Sequence, residues 1–183
     1  DELKKTTAKK ERIESELRIA RNIQMGMVPK IFPPFPERND VDLYAKLIPA
    51  KEVGGDLYDF FIEGNKLYFI VGDVSGKGVP ASLVMAVTCR LFRTVAAHFQ
   101  TPSEIVTALN DALAESNESN MFCTFFIGIL DLCNGHLQYC NAGHNAPVII
   151  SPSCEVKFME VLPNLPLGLF GGFPYEGQEC DIA

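Results

Sequence analysis

The chain has 183 residues, 47% of them hydrophobic and 21% charged, with a net charge of −7 and a pI near 5.0. That length suffices for one domain with a substantial core, while the acidic balance excludes a nucleic-acid binder, which needs a basic face against the phosphates. The longest apolar runs, Val79–Val87 and Phe122–Leu130, are too short to cross a bilayer, and Asp1–Arg12 lacks the apolar stretch of a signal peptide. The cysteines at 89, 123, 133, 140, 154 and 180 show no Cys-x-x-Cys or other zinc-like spacing. Several fall within apolar strand or helix patterns, so they read as reduced core residues of a cytoplasmic domain.

Residues 1–28 are rich in Lys, Glu and Arg, with no aromatic and no glycine except Gly26. Leu3, Thr6, Lys10, Ile13, Leu17, Ala20, Gln24 and Met27 recur at spacings of three and four, a heptad seam that improves from Ile13 onward. So narrow a stripe predicts a coiled-coil-like helix that pairs with a second copy or packs on the domain; the alternative is a solvated helical leader. Pro29 and the Phe32–Pro36 cluster end it.

From residue 29 to 183 the signals alternate in an α+β order. Val41–Ile48 reads as a strand with Val41, Leu43, Ala45 and Leu47 on one face. A hairpin follows: Leu57–Ile62, a Gly64–Asn65 turn, then Lys66–Val71. Val79–Phe99 predicts a helix with Pro80 early and Leu83, Val87, Leu91, Val95 and Phe99 as its apolar face. Pro102–Glu115 predicts another, capped by Thr101 or Ser103 and carrying Ile105, Val106 and Leu109. Asn134–Gly135 joins the strands Cys123–Leu132 and His136–Asn141. Val148–Ile150 and Glu155–Met159 supply two more.

Two aspartates in glycine turns stand out, in Val53-Gly54-Gly55-Asp56 and in the run Gly72-Asp73-Val74-Ser75-Gly76-Lys77-Gly78. The hairpin between them brings Asp56 and Asp73 to one edge of a sheet. Paired carboxylates beside glycines that allow close carbonyl approach suit a hard cation such as Mg²⁺ or Mn²⁺. Ordinary Gly-Asp turns would look the same, and spacing alone leaves both readings open.

The string Val53–Phe60, followed by Gly72–Ala81, resembles the SpoIIE/RsbU-like serine phosphatases of the metal-dependent protein phosphatase (PPM) superfamily. Three further segments agree in order: Glu16–Gln24 with Pro29 after it, Phe125–Asp131, and Asn141-Ala142-Gly143-His144-Asn145-Ala146-Pro147. The resemblance covers residues 14 to 183. It implies an α-β-β-α sandwich of two antiparallel sheets flanked by helices, and hydrolysis of phosphoserine or phosphothreonine assisted by two Mn²⁺ or Mg²⁺ ions. By resemblance, Asp56 and Asp73 are the catalytic carboxylates and metal ligands, Asp73 bridging the ions, with the Val74 carbonyl as a further ligand. Asp59 either supports the ligands or is a strand-face carboxylate; His144 either orients a water or stabilises its turn; Lys77 either attracts phosphate or is a solvated loop lysine. The resemblance implies as partner a phosphorylated STAS-type anti-sigma-factor antagonist, with a sensor or membrane segment upstream; the heptad seam adds the expectation of a homodimer through residues 1–28.

The family pattern runs on from a segment like Pro174–Ile182 into a strand with a Thr-Asp-Gly turn and a further metal-binding aspartate. Neither occurs here, and Asp131 and Asp181 are poorly placed to substitute, so full activity is not expected of this stretch alone. A nucleotide-binding loop at Gly72–Gly78 fails, because the Walker pattern needs Ser or Thr where Gly78 stands. A non-catalytic signalling and dimerisation module is the remaining alternative.

Overall fold

A computed structural model describes residues 2–115 and 117–182. Its elements run α1 (Glu2–Met25), β1 (Asp56–Glu63), β2 (Lys66–Val74), α2 (Val79–Ala96), α3 (Pro102–Glu115), β3 (Cys123–Asp131), β4 (His136–Ala142), β5 (Val148–Ile150), β6 (Val156–Phe158) and β7 (Gln178–Asp181). Five strands form one antiparallel sheet in the order β1-β2-β3-β4-β7, and β5-β6 form a second, two-stranded antiparallel sheet. Helices α2 and α3 cover one face of the large sheet. The α+β class and the leading helix are therefore as the sequence implies, with an α layer, a β layer and a small second β layer among the described residues.

Strand alternation builds two cores. Leu57, Ile70, Phe125 and Ile127 meet Met85 and Phe92 of α2 and Ile105, Val106 and Leu109 of α3. On the opposite face Phe126, Leu137 and Tyr139 meet Met159 and Ile149 beside the small sheet. Helix α3 begins on a reciprocal cap: Glu104 N–H donates to Thr101 Oγ1, and Thr101 N–H donates to Glu104 Oε2 at 3.1 Å. Pro102 sits where a missing N–H costs nothing.

The structure departs from the sequence reading in several places. Helix α2 turns a different face inward: Ala81, Met85, Thr88, Cys89, Phe92 and Ala96 are buried, while Leu83 is 63% and Val87 50% exposed. Both stripes are apolar, so spacing alone could not choose between them; by composition α2 even passes for a membrane span. Residues 41–48 keep the expected in–out alternation but pair with no strand among the described residues. Alternation reports two faces, and a strand also needs a ladder partner. Strand β7 went unrecognised because Gln-Glu-Cys-Asp carries almost no β signal. Helix α1 ends at Met25, where Gly26 N–H bonds the Asn22 and Ile23 carbonyls. All six cysteines are free; Cys89, Cys123 and Cys140 lie in the core, but Cys133 and Cys154 are exposed in turns.

Candidate metal centre

The β1–β2 register places Asp56 directly opposite Asp73, and the β2–β3 register places Thr124 on the other side of Asp73. Because all these pairings are antiparallel, the start of β1, the end of β2, the start of β3 and the end of β4 gather at one end of the sheet. Gly143, just after β4, bridges to Phe125 there and brings His144 alongside.

Local packing fixes the two turns. A side chain at Gly55 would put a Cβ 2.7 Å from the Val74 carbonyl oxygen and 3.2 Å from the Ala81 Cβ, so only glycine lets this turn lie against Val74. Val74 N–H donates to Gly55 O at 3.3 Å. Gln24, buried at the end of α1, grips the neighbouring residue from both sides: its Nε2 donates to Gly54 O at 2.6 Å, and Gly54 N–H donates to its Oε1 at 3.1 Å. After Val74 the chain is held by Ser75, whose N–H donates to Phe122 O and whose Oγ accepts from Phe122 N–H. Gly76 (φ 85°) and Gly78 (φ 73°) then turn it into α2 through the left-handed region.

Asp56 and Asp73 line a cleft of about 460 Å³ together with Lys46, Tyr58 and His144. Neither carboxylate has an ion-pair partner among the described residues. Partial burial raises the Asp73 carboxyl above its ordinary value, the adjacent Asp56 raises it further, and His144 opposes both. Burial lowers the His144 imidazole, against the pull of Asp73 and Asp56. Thr124 Oγ1 lies 2.9 Å from His144 Nδ1 and donates to Asp73 O at 3.3 Å. Thr124 thereby links the His144 ring to the backbone of Asp73.

Two opposed carboxylates without an ion-pair partner among the described residues, at a sheet end where a glycine lets a backbone carbonyl approach, form an oxygen donor set that fits Mg²⁺ or Mn²⁺. Among the described residues no third His, Cys, Asp or Glu joins the pair at metal-binding distance. Asp59 lies outside the cleft: 4% exposed, it accepts from Arg93 Nε and Nη2 of α2 at 2.6 Å each and so ties α2 to β1. The turn at His144 is held by Asn141, whose Nδ2 donates to His144 O at 2.7 Å and whose Oδ1 accepts from His144 N–H, while the His144 side chain meets Thr124 and lines the cleft. Lys77 is exposed on the glycine loop. Sequence reasoning missed Lys46 at the cleft and Gln24 at Gly54. Lys46 carries no motif, and Gln24 occupies a polar position of the heptad seam that gives no sign of a contact with a glycine turn.

Residues 63–183 match the family model for Stage II sporulation protein E (SpoIIE), about two thirds of the chain. The chain belongs to the SpoIIE family. Asp73 lies inside the matched stretch, and Asp56 just before it. The phosphoserine phosphatase RsbU of Bacillus subtilis (strain 168) is 27% identical over 165 residues, covering 90% of this chain and 48% of RsbU. The chain spans about half the length, or less, of the curated relatives it matches. Among solved structures, the SiaA PP2C domain of Pseudomonas aeruginosa superposes with a TM-score of 0.76 at 19% identity, over 96% of this chain and 70% of that one. The RsbU and RsbW domains of a Mycobacterium tuberculosis protein give 0.66 at 28% identity, over 73% and 38%. These neighbours confirm the PP2C-type fold of this SpoIIE-family domain.

Proposed function

We propose that this SpoIIE-family domain is a metal-dependent protein phosphatase acting on phosphoserine or phosphothreonine of a partner protein. The observation that carries the reading is the Asp56–Asp73 pair, opposed across β1 and β2 and free of any cationic partner among the described residues. The similarity to RsbU, named a phosphoserine phosphatase, supports it. Asp56, Asp73 and the Val74 carbonyl would hold Mg²⁺ or Mn²⁺, which when bound supplies positive charge for attack of water on the phosphoryl group. Thr124 sets the His144 ring over the cleft, and the glycine loop with Gln24 holds the two turns in register.

The partner we infer is a STAS-type anti-sigma-factor antagonist in the cytoplasm, with a sensor segment preceding α1 in the full protein. Helix α1 would join two copies: Ile19 and Ile23 are 57% and 60% exposed, on a face the domain does not cover. That open face also favours a second reading, a purely dimerising signalling module. Release of inorganic phosphate from a phosphoserine protein by the full-length protein with Mn²⁺ separates the two. The phosphatase reading expects release that chelation stops and that Asp73→Asn lowers about a hundredfold or more, with the fold intact by circular dichroism. Release that is unchanged in Asp73→Asn, or absent with metal bound, contradicts it.

A further inference from the structure

We propose that Lys46 is the phosphate-binding cation of this cleft, a role that deepens the phosphatase reading above and rests on it. Lys46 stands on the unpaired extended segment 41–49, on the exposed side of its alternation, and lines the same cleft as Asp56, Asp73 and His144. No other Lys or Arg is among the described residues lining that cleft. It makes no ion pair among the described residues, although two carboxylates share the cleft with it. An ammonium left free beside two acidic side chains is available to something else.

The chemistry of the substrate supplies that partner. A phosphomonoester arrives as a dianion, and Asp56 and Asp73 repel it until cations offset their charge. Ions held by the aspartates neutralise the carboxylates and leave the outer phosphoryl oxygens in need of donors. Lysine offers a compact charge with three donors on a flexible four-carbon stem, so Lys46 can reach an oxygen from the rim without being part of the donor set. Lys77, the lysine the glycine loop advertises, does not line the cleft.

The test is binding of inorganic phosphate, followed by ³¹P line broadening in the presence of Mg²⁺, with Mn²⁺ binding measured separately by electron paramagnetic resonance. Lys46→Met should weaken phosphate about tenfold, the loss of one charge-assisted hydrogen bond. Lys46→Arg should restore most of it, and Lys77→Met should change nothing. Mn²⁺ affinity should be the same in all three, which a merely structural role at the metal turns would not leave intact. Where turnover is measured, Lys46→Met should raise KM more than it lowers kcat. Parent-like phosphate binding by Lys46→Met overturns the proposal, as does a parent that binds metal but no phosphate. A full-length protein that binds phosphate through Lys46 yet hydrolyses no phosphoprotein would instead overturn the phosphatase reading alone.

Discussion

Gln24 shows how a residue can be visible in a sequence while its task is not. Its seam position marked it as a polar break in a heptad, and that spacing did place it on the side of α1 facing the domain. Nothing in the spacing announced that its amide would close on both backbone groups of Gly54, because that contact joins residues thirty positions apart. Asp56 and Asp73 were legible because a two-residue turn and two strand runs fix a register locally, and register is what opposes them. Asp59 was ambiguous for the converse reason: its partner Arg93 lies on a helix whose inward face the pattern left undecided. Gln24→Ala should leave the Gly54 N–H and carbonyl short of partners and cost about 1–3 kcal/mol in denaturant unfolding. It should also weaken Mn²⁺ binding, since Gly54 and Gly55 set where Asp56 begins. Unchanged metal affinity would mean that the turn holds its shape without α1.

At the level of elements, α2 couples the core to the metal loop. Its inward stripe of Met85, Cys89 and Phe92 seals the sheet, and Arg93 adds a bidentate ion pair to the buried Asp59. Removing the arginine leaves that carboxylate buried without its counter-charge. Arg93 is itself partly exposed, so Arg93→Ala should cost about 2–3 kcal/mol, below the full penalty of a buried pair. Replacing Asp59 together with Arg93 should recover part of that loss. The same helix permits a direct check of which face is inside. Phe92→Ala should cost about 3–5 kcal/mol, whereas Leu83→Ala should cost about 0.5 kcal/mol or less. Comparable losses at both sites would reverse the assignment. The segment 41–48 and strand β7 teach the complementary lesson. The first had the right alternation and found no ladder; the other had no pattern and was recruited by the edge of β4.

For the whole molecule, the fold class and element order were readable because turn residues, caps and local hairpins punctuate the chain, while the inward faces and the cleft rim depend on packing between distant segments. The outward face of α1 raises the question of assembly. Ile19 and Ile23 are exposed on the side of α1 turned away from Gln24, so a second copy is the covering we propose. Ile19→Glu should then shift the mass found by light scattering toward the monomer across a dilution series, and an unchanged mass would remove the dimerising role. The central claim, however, is that Asp56 and Asp73 share a divalent ion, and Mn²⁺ titration of the 183-residue chain followed by electron paramagnetic resonance tests it most directly. The account predicts saturable binding in the parent and a loss of affinity of about tenfold or more in both Asp56→Asn and Asp73→Asn, with the fold retained. Equal Mn²⁺ binding by the parent and both variants would contradict it.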